Sequence, residues 1–259
     1  MLFLTKRYKI LITIFLLCLG LFLLPDFGYA WRKPLLAGIL LGSYLLSAWV
    51  FYHDLKGIEF LTLFVLPVFF TLTVGLTYLH FLPTIVFRLA GLAGFGGVMY
   101  VILLAENIFN VAAERSIPLV RAAHTVGYLA TLAVAFALFS LLYNLYLNSW
   151  LIGGIAFITS SFLFLQAFWQ IELEDHLNTD LMLNSLVLGL VVGEIAFVFS
   201  FWPLQPFGAG LALTTALYVF LGIVQHKLKG NLSQRAVGEY VFVSSTVFAL
   251  MIFLTHWGA

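Results

Sequence analysis

Long apolar stretches dominate the chain, and each is close to the length that a helix needs to cross a bilayer. A spanning helix takes about 20 mostly apolar residues, and the sequence contains nine such stretches separated by short breaks such as HDLKGIE, ELEDHLNTD and WPLQPFG. In lipid, backbone polar groups must bond to one another, and stretches of this length do so as helices. The sequence therefore predicts an all-α, polytopic transmembrane helix bundle that forms one integral membrane domain over residues 1–259. The spans are expected near residues 9–25, 34–52, 60–79, 86–108, 119–145, 149–171, 181–202, 207–226 and 238–256.

Composition indicates that the solvent around this bundle is lipid. Hydrophobic residues make up 63% of the chain and charged residues 9%, whereas soluble domains average about 45–50% and about 25%. A soluble core of this length could not hide so much apolar surface. The net charge of +1 gives no basic surface for a nucleic acid, so the expected partner is the lipid bilayer.

The first apolar stretch has two interpretations. KRYK, an apolar run and then PDFGYA resemble a secretory signal peptide with small residues before its cleavage point. Against cleavage, the apolar run is long, and Phe27 and Tyr29 crowd the cleavage point. We expect an uncleaved first helix, and cleavage would leave eight spans.

The distribution of lysine and arginine predicts the orientation, because these residues are enriched in cytoplasmic loops. With nine spans and a cytoplasmic N-terminus, nine basic residues fall inside: Lys6, Arg7, Lys9, Lys56, Arg115, Arg121, Lys227, Lys229 and Arg235. Three fall outside: Arg32, Lys33 and Arg88. We therefore expect a multi-pass protein of a bacterial inner membrane, with its N-terminus in the cytoplasm and its C-terminus outside.

Glu194, within LVLGLVVGEIAFVFSF, is the one acidic residue deep in a predicted span. A charge at a helix centre costs roughly 2.5–3.5 kcal/mol on insertion scales, and such residues often mark transport or proton transfer. The alternative is a protonated or hydrogen-bonded glutamate that fixes helix packing. Gly189 and Gly193 form a GxxxG pattern, which allows a second helix to approach closely.

Three amides are further candidates for an intramembrane polar site. Gln166 and Gln170 lie four residues apart and share one helix face, and Asn184 is in the next span. A structural hydrogen bond between helices is the favoured interpretation.

A polar stretch at residues 102–128, ILLAENIFNVAAERSIPLVRAAHTVGY, interrupts the hydrocarbon pattern. Glu106, Asn110 and Glu114 follow at i, i+4 and i+8 and share one face of the fourth helix. A turn then leads to Arg121 on the fifth helix. Glu106 or Glu114 is expected to pair with Arg115 or Arg121 across this turn.

Two roles suit this stretch. In the first, the basic residues clamp a lipid phosphate and an acidic residue or histidine acts as acid or base. In the second, an interfacial salt-bridge network anchors two helices and sets the topology, which is the favoured interpretation. The residues that could contact a lipid or substrate are Glu106, Asn110, Glu114, Arg115, Arg121 and His124.

No motif for a metal, cofactor or covalent chemistry is present in the sequence. The single cysteine, Cys18, excludes an intrachain disulfide and a cysteine-based zinc site. The histidines lie near predicted helix ends, and the sequence contains neither HExxH nor GxSxG. GLAGFGG at 91–97 and GILLG at 38–42 lack the features of nucleotide-binding loops and are expected to be sites of close helix packing. We therefore predict no metal, no cofactor and no catalytic residue.

Three segments carry a resemblance to known sequences. LAENIFNVAAERSIPLVRAAHTVGY, SFWPLQP and LYVFLGIVQHKLKGNLSQRAVGEYV resemble segments of multi-span hypothetical membrane proteins of small-genome, candidate-phylum bacteria. The resemblance covers most of the chain after the third helix. It implies a multi-span helical fold and no particular activity.

Two hypotheses for function follow. The favoured one is a non-enzymatic scaffold or a membrane subunit of a larger complex, because buried polar groups are few and small-residue patterns are many. The alternative is a transporter, or a lipid-handling or lipid-modifying protein, that uses Glu194 or the interfacial residues Glu106 to His124. Possible partners are other membrane subunits or lipid headgroups.

Overall fold

The protein folds into long α-helices joined by short connections. The computed structural model describes residues 5–52, 54–81, 84–112, 118–173, 178–228 and 230–255. Within these ranges there is no strand, and nine helices are long and apolar enough to cross a membrane. The predicted all-α polytopic fold is thus confirmed. The helices are α1 Lys6–Leu23, α2 Tyr29–Phe51, α3 Glu59–Phe81, α4 Ile85–Ala112, α5 Val120–Asn144, α6 Ser149–Glu172, α7 Thr179–Phe199, α8 Pro206–Leu228 and α9 Gln234–Leu254.

Short polar side chains cap the starts of several helices. The side chain of Asn148 accepts a hydrogen bond from the N–H of Leu151 at 2.9 Å and caps α6. Asn178 accepts from the N–H of Asp180 at 3.0 Å and caps α7. Such caps satisfy backbone donors that have no partner inside the helix, and so fix where the helix begins.

Helix α2 begins five residues before the predicted start near residue 34 and contains Pro34. Pro34 is the sixth residue of α2, where a proline lacks the N–H that a helix interior normally uses for its i→i−4 bond. The guanidinium of Arg32 bonds the carbonyls of Pro25 and Phe27 at 2.9 and 3.0 Å. The break predicted around PDFGYAWRKP is therefore only the short 3₁₀ turn Leu24–Asp26 and two further residues before α2.

The helices form two compact units, residues 1–130 and 131–259. The first unit contains α1 to α4, and its core includes Leu21, Leu63, Phe95 and Phe109, all at most 2% exposed. Ser43 of α2 bonds Thr71 of α3 at 3.1 Å in this core. The prediction of one integral domain over the whole chain stays a prediction.

The second unit contains α6 to α9, with α6 the most buried of them. Its fully buried side chains include Phe164, Phe168 and Trp169 of α6. The hydroxyl of Tyr143 on α5 donates to the backbone carbonyl of Ala196 on α7 at 2.7 Å. This bond joins α5 to the buried face of α7.

Candidate functional site

A network of polar side chains joins three helices at one end of the first unit. Its members, which we call the polar cluster, are Lys6, Asp54, Glu59, Asn107 and Asn110. Lys6 starts α1, Asp54 lies in the turn between α2 and α3, Glu59 starts α3, and the two asparagines lie near the end of α4.

Glu59 and Asn110 form the buried part of the polar cluster, each 1% exposed. One Glu59 oxygen, Oε2, accepts the side-chain N–H of Asn110 at 3.0 Å and the backbone N–H of Lys56 at 2.9 Å. The same Asn110 nitrogen also donates to the backbone carbonyl of Asp54 at 3.2 Å. A buried carboxylate that accepts two hydrogen bonds is stabilised without needing a ligand.

Lys6 closes the cluster at its more accessible side. Its ammonium lies 2.6 Å from Oδ2 of Asp54 and donates to Oδ1 of Asn107 at 3.1 Å. The one ammonium of the cluster therefore pairs with the carboxylate of Asp54, while Glu59 is held by N–H donors. Among the described residues no group of three or more His, Cys, Asp or Glu side chains could hold a metal ion. The arrangement suits a structural connection between α1, α3 and α4.

The candidate contact residues of the stretch 102–128 differ in their burial. Glu106 and Asn110 share the buried face of α4, as their spacing predicted. His124 is half-buried and its ring lies 5.3 Å from that of Phe109. Arg121 is exposed, whereas Glu106 is 1% exposed. The expected pairing of Glu106 or Glu114 with Arg115 or Arg121 stays a prediction. Glu114 and Arg115 lie outside the described residues.

In the second unit, Gly189 and Gly193 bring α7 into contact with α6, as the GxxxG pattern predicted. A methyl group at Gly189 would lie 2.9 Å from the Cα of Ser161, and one at Gly193 would lie 2.7 Å from the Cβ of Phe157. Backbones can approach this closely only where side chains are absent.

Glu194 lies next to this contact but on a different face of α7. It is exposed, together with Leu190 and Val198 one turn before and after it. Within the described residues its carboxylate has no hydrogen-bond or ion-pair partner, so a bond from Glu194 that fixes helix packing is not present there.

Glu194 lines an open cleft of about 590 Å³ between α6 and α7. Trp150, Gly153, Gly154 and Phe157 form the α6 side of the cleft, and Leu190, Gly193, Glu194, Phe197 and Val198 form the α7 side. Glu194 is the only ionisable residue among them. Small-molecule sites in proteins have volumes of about 300–1,000 Å³ and few polar groups, and the cleft fits that description.

Two glycines and two aromatic rings shape the cleft. Nothing lies within 4 Å of where a Cβ of Gly154 would be, so the α6 side is open there. The rings of Trp150 and Phe197 lie 4.8 Å apart and form one wall. Trp150 is the second residue of α6, and Glu194 lies five residues before the end of α7. At about 1.5 Å per residue, the carboxylate is roughly 7 Å from that helix end, near the level that tryptophan favours in membranes.

The three amides predicted as polar candidates are not together. Gln166 and Gln170 are buried in α6, at 0% and 3% exposed, and share one face as predicted. Asn184 is exposed on α7. Their role as an intramembrane polar site stays a prediction.

Sequence reasoning missed Lys6, Asp54 and Glu59 as parts of a buried network. Glu59 lay in the charged break HDLKGIE, which was interpreted as a loop. Its backbone partner is three residues before it, at Lys56, a spacing found where a glutamate in the first turn caps a helix start. That spacing could have indicated a capping role, but not the contact with Asn110, 51 residues further on.

The helices and their apolar surfaces define a multi-pass membrane protein built only of helices within the described residues. Residues 29–254 match the family described as "Protein of unknown function (DUF5656)". The match covers most of the chain, which therefore belongs to this family. Comparisons with curated proteins and with solved structures gave no match.

Proposed function

We propose that the protein binds a small amphiphilic molecule in the α6–α7 cleft and handles or transports that molecule in the membrane. The observation that carries the proposal is the position of Glu194, a carboxylate without a partner in the described residues, in an open and otherwise apolar cleft.

The glycine pattern beside Glu194 accounts for helix packing without the carboxylate. Gly189 and Gly193 contact α6, whereas Glu194 is turned away from that contact. A glutamine or leucine at residue 194 would leave the packing intact. A structural role therefore gives no reason for a carboxylate at this position, and recognition of a ligand does.

The free-energy cost of placing an ionisable group in a membrane span also favours a ligand at Glu194. An ionisable group within a span costs free energy unless it has a partner or reaches water. Roughly 7 Å from the helix end, Glu194 is close enough to the headgroup level for a ligand's polar end to reach it. An amphiphile with its polar end on Glu194 and its apolar part among Phe157, Leu190 and Val198 fits both conditions.

The proposal is tested by what the protein carries when it is gently extracted. Wild type, Glu194→Gln and the control Gln205→Ala are purified in native lipid discs, and their bound small molecules are compared by mass spectrometry. Gln205 is an exposed polar residue at a different cavity, between α8 and α9. We expect one or more molecules that Glu194→Gln loses and Gln205→Ala retains. Identical contents in all three would contradict the proposal.

A second candidate function is that of a membrane subunit in a larger complex. Gly38 and Gly42 on α2, and Gly94 and Gly97 on α4, have nothing within 4 Å of where a Cβ would be. The small-residue patterns at 38–42 and 91–97 were expected to pack helices. Within the described residues Gly91 lies against Tyr78 and Gly96 against Ile14, whereas these four glycines do not contact another helix. A transmembrane helix of another subunit could approach there.

This second function is tested by cross-linking in the intact membrane. Wild type would give a cross-linked species that Gly38→Leu weakens and that Leu41→Ile, a conservative change at an exposed position of the same helix, leaves unchanged. A wild-type protein that remains a single chain under these conditions would rule the subunit function out.

For location, we propose a bacterial inner membrane with the N-terminus in the cytoplasm and the C-terminus outside. The support is the nine-to-three distribution of lysine and arginine between the two sides. In this orientation the cleft opens towards the outer side, where α6 begins and α7 ends.

A further inference from the structure

The α6–α7 cleft contains one negative group and no positive one. Glu194 is the only ionisable residue that lines it, and no Lys, Arg or His is present in its walls. An anionic ligand would meet the carboxylate without any compensating charge. A zwitterion could use Glu194 for its positive end only. The electrostatics thus favour a ligand whose polar end is positive.

Two aromatic residues line the cleft together with the carboxylate, and they also favour a positively charged ligand. Trp150 and Phe197, with ring centroids 4.8 Å apart, both line the cleft. The faces of aromatic rings attract cations, tryptophan most strongly, and together with a carboxylate they form the usual surroundings of an organic ammonium group. Neither ring attracts an anion in this way.

The rest of the cleft suits an apolar body. Phe157, Leu190 and Val198 provide hydrocarbon, and Gly154 of α6, with nothing within 4 Å of its Cβ position, leaves room for bulk. Besides Glu194, the indole N–H of Trp150 is the only polar side-chain group among the residues that line the cleft, so a neutral polar ligand would find few side-chain groups to bind.

We infer that the α6–α7 cleft takes an amphiphilic organic cation, a molecule with one ammonium-like charge at Glu194 and an apolar body against the aromatic and aliphatic walls. This inference rests on the proposed function and names its ligand class. The same chemistry is present in a free hydrophobic amine and in the amine headgroup of a lipid.

Three probes of similar shape and different charge test the inference. Binding of tetraphenylphosphonium, tetraphenylborate and triphenylmethanol is measured by equilibrium dialysis on the full chain in lipid discs. We expect the cation to bind and the anion not to. Glu194→Gln, which removes the charge and keeps the size, should weaken cation binding by about tenfold or more, the change that corresponds to roughly 1.4 kcal/mol. Gln205→Ala should not change it.

The outcomes separate this inference from the proposed function. If triphenylmethanol or tetraphenylborate binds as well as the cation, and Glu194→Gln weakens that binding, the cleft is a binding site and the cation class is wrong. If no probe binds and the extracted protein carries no Glu194-dependent molecule, both proposals fail. Cation binding that Glu194→Gln leaves unchanged would overturn the assignment of the site.

The composition of the discs distinguishes the two sources of the cation. Discs of phosphatidylglycerol alone are compared with discs that also contain phosphatidylethanolamine. If the amine lipid weakens tetraphenylphosphonium binding to wild type, and weakens it to the same extent in Gln205→Ala, the headgroup competes for Glu194 and the ligand is a lipid amine. If it has no effect, a free amphiphilic cation is the ligand. Either result supports the cation class.

Discussion

The side-chain amide of Asn110 lies 3.0 Å from the carboxylate of Glu59, although the two residues are 51 positions apart. Both side chains are 1% exposed. This hydrogen bond joins the start of α3 to the end of α4, and the same amide also holds the turn before α3 through the carbonyl of Asp54.

Replacing Asn110 with alanine should therefore destabilise the protein. Glu59 would keep the backbone N–H of Lys56 and lose its second donor. Removing one partner of a buried hydrogen bond costs about 1–3 kcal/mol, and more when a charged group is involved. The free energy of unfolding in mixed micelles measures the effect. Asn184→Ala is the matched control, since Asn184 is exposed, and it should change stability by less than about 0.5 kcal/mol. Equal effects of the two variants would argue against a stabilising role for the polar cluster.

The contact between α6 and α7 gives a steric prediction. Gly189→Ala would place a methyl group 2.9 Å from the backbone Cα and N atoms of Ser161, which cannot move without moving the helix. Overpacking of this kind costs about 1–3 kcal/mol. Gly154→Ala serves as the control on the same pair of helices, because its methyl group would meet open space. Unfolding measurements should show a loss for Gly189→Ala and little or none for Gly154→Ala. A loss that is equal in both would mean that glycine itself, and not the close approach, is what matters.

The proposed orientation predicts which loops a membrane-impermeant reagent can reach. In a Cys18→Ala background, a cysteine at Tyr146 should react with an impermeant maleimide in intact cells, because the turn between α5 and α6 is expected outside. A cysteine at Asn231, between α8 and α9, should react only after the membrane is opened. Both positions are exposed, so burial does not limit either reaction. The reverse pattern would invert the topology.

The helices could be predicted from the sequence because each is a local property of about 20 apolar residues. The ends were less accurate where side-chain bonds decide them, as at Arg32, which helps α2 begin before Pro34. The environment of Glu59 could not be predicted, since it depends on a residue 51 positions away. The sequence does indicate on which side of α7 Glu194 lies. Successive helix residues turn by about 100°, so a residue that follows Gly193 directly cannot lie on the same face as the Gly189–Gly193 contact.

Filling the α6–α7 cleft should abolish ligand binding without unfolding the protein. Gly154→Leu adds a side chain at a position where nothing lies within 4 Å of the Cβ and which lines the cleft. The added side chain would occupy the space beside Glu194, whereas the helix contact through Gly189 and Gly193 would remain. We expect cation binding to fall by about tenfold or more, with the free energy of unfolding changed by less than about 0.5 kcal/mol.

The control for the filled cleft is Gly208→Leu. Gly208 also has nothing within 4 Å of its Cβ position, and it lines the cavity between α8 and α9, which contains no ionisable residue. This variant adds the same side chain at a similarly open glycine, so general effects of a new leucine in the membrane are matched. Binding should survive in Gly208→Leu and be lost in Gly154→Leu. If both variants bind the cation as wild type does, the ligand does not occupy the space between Trp150 and Glu194.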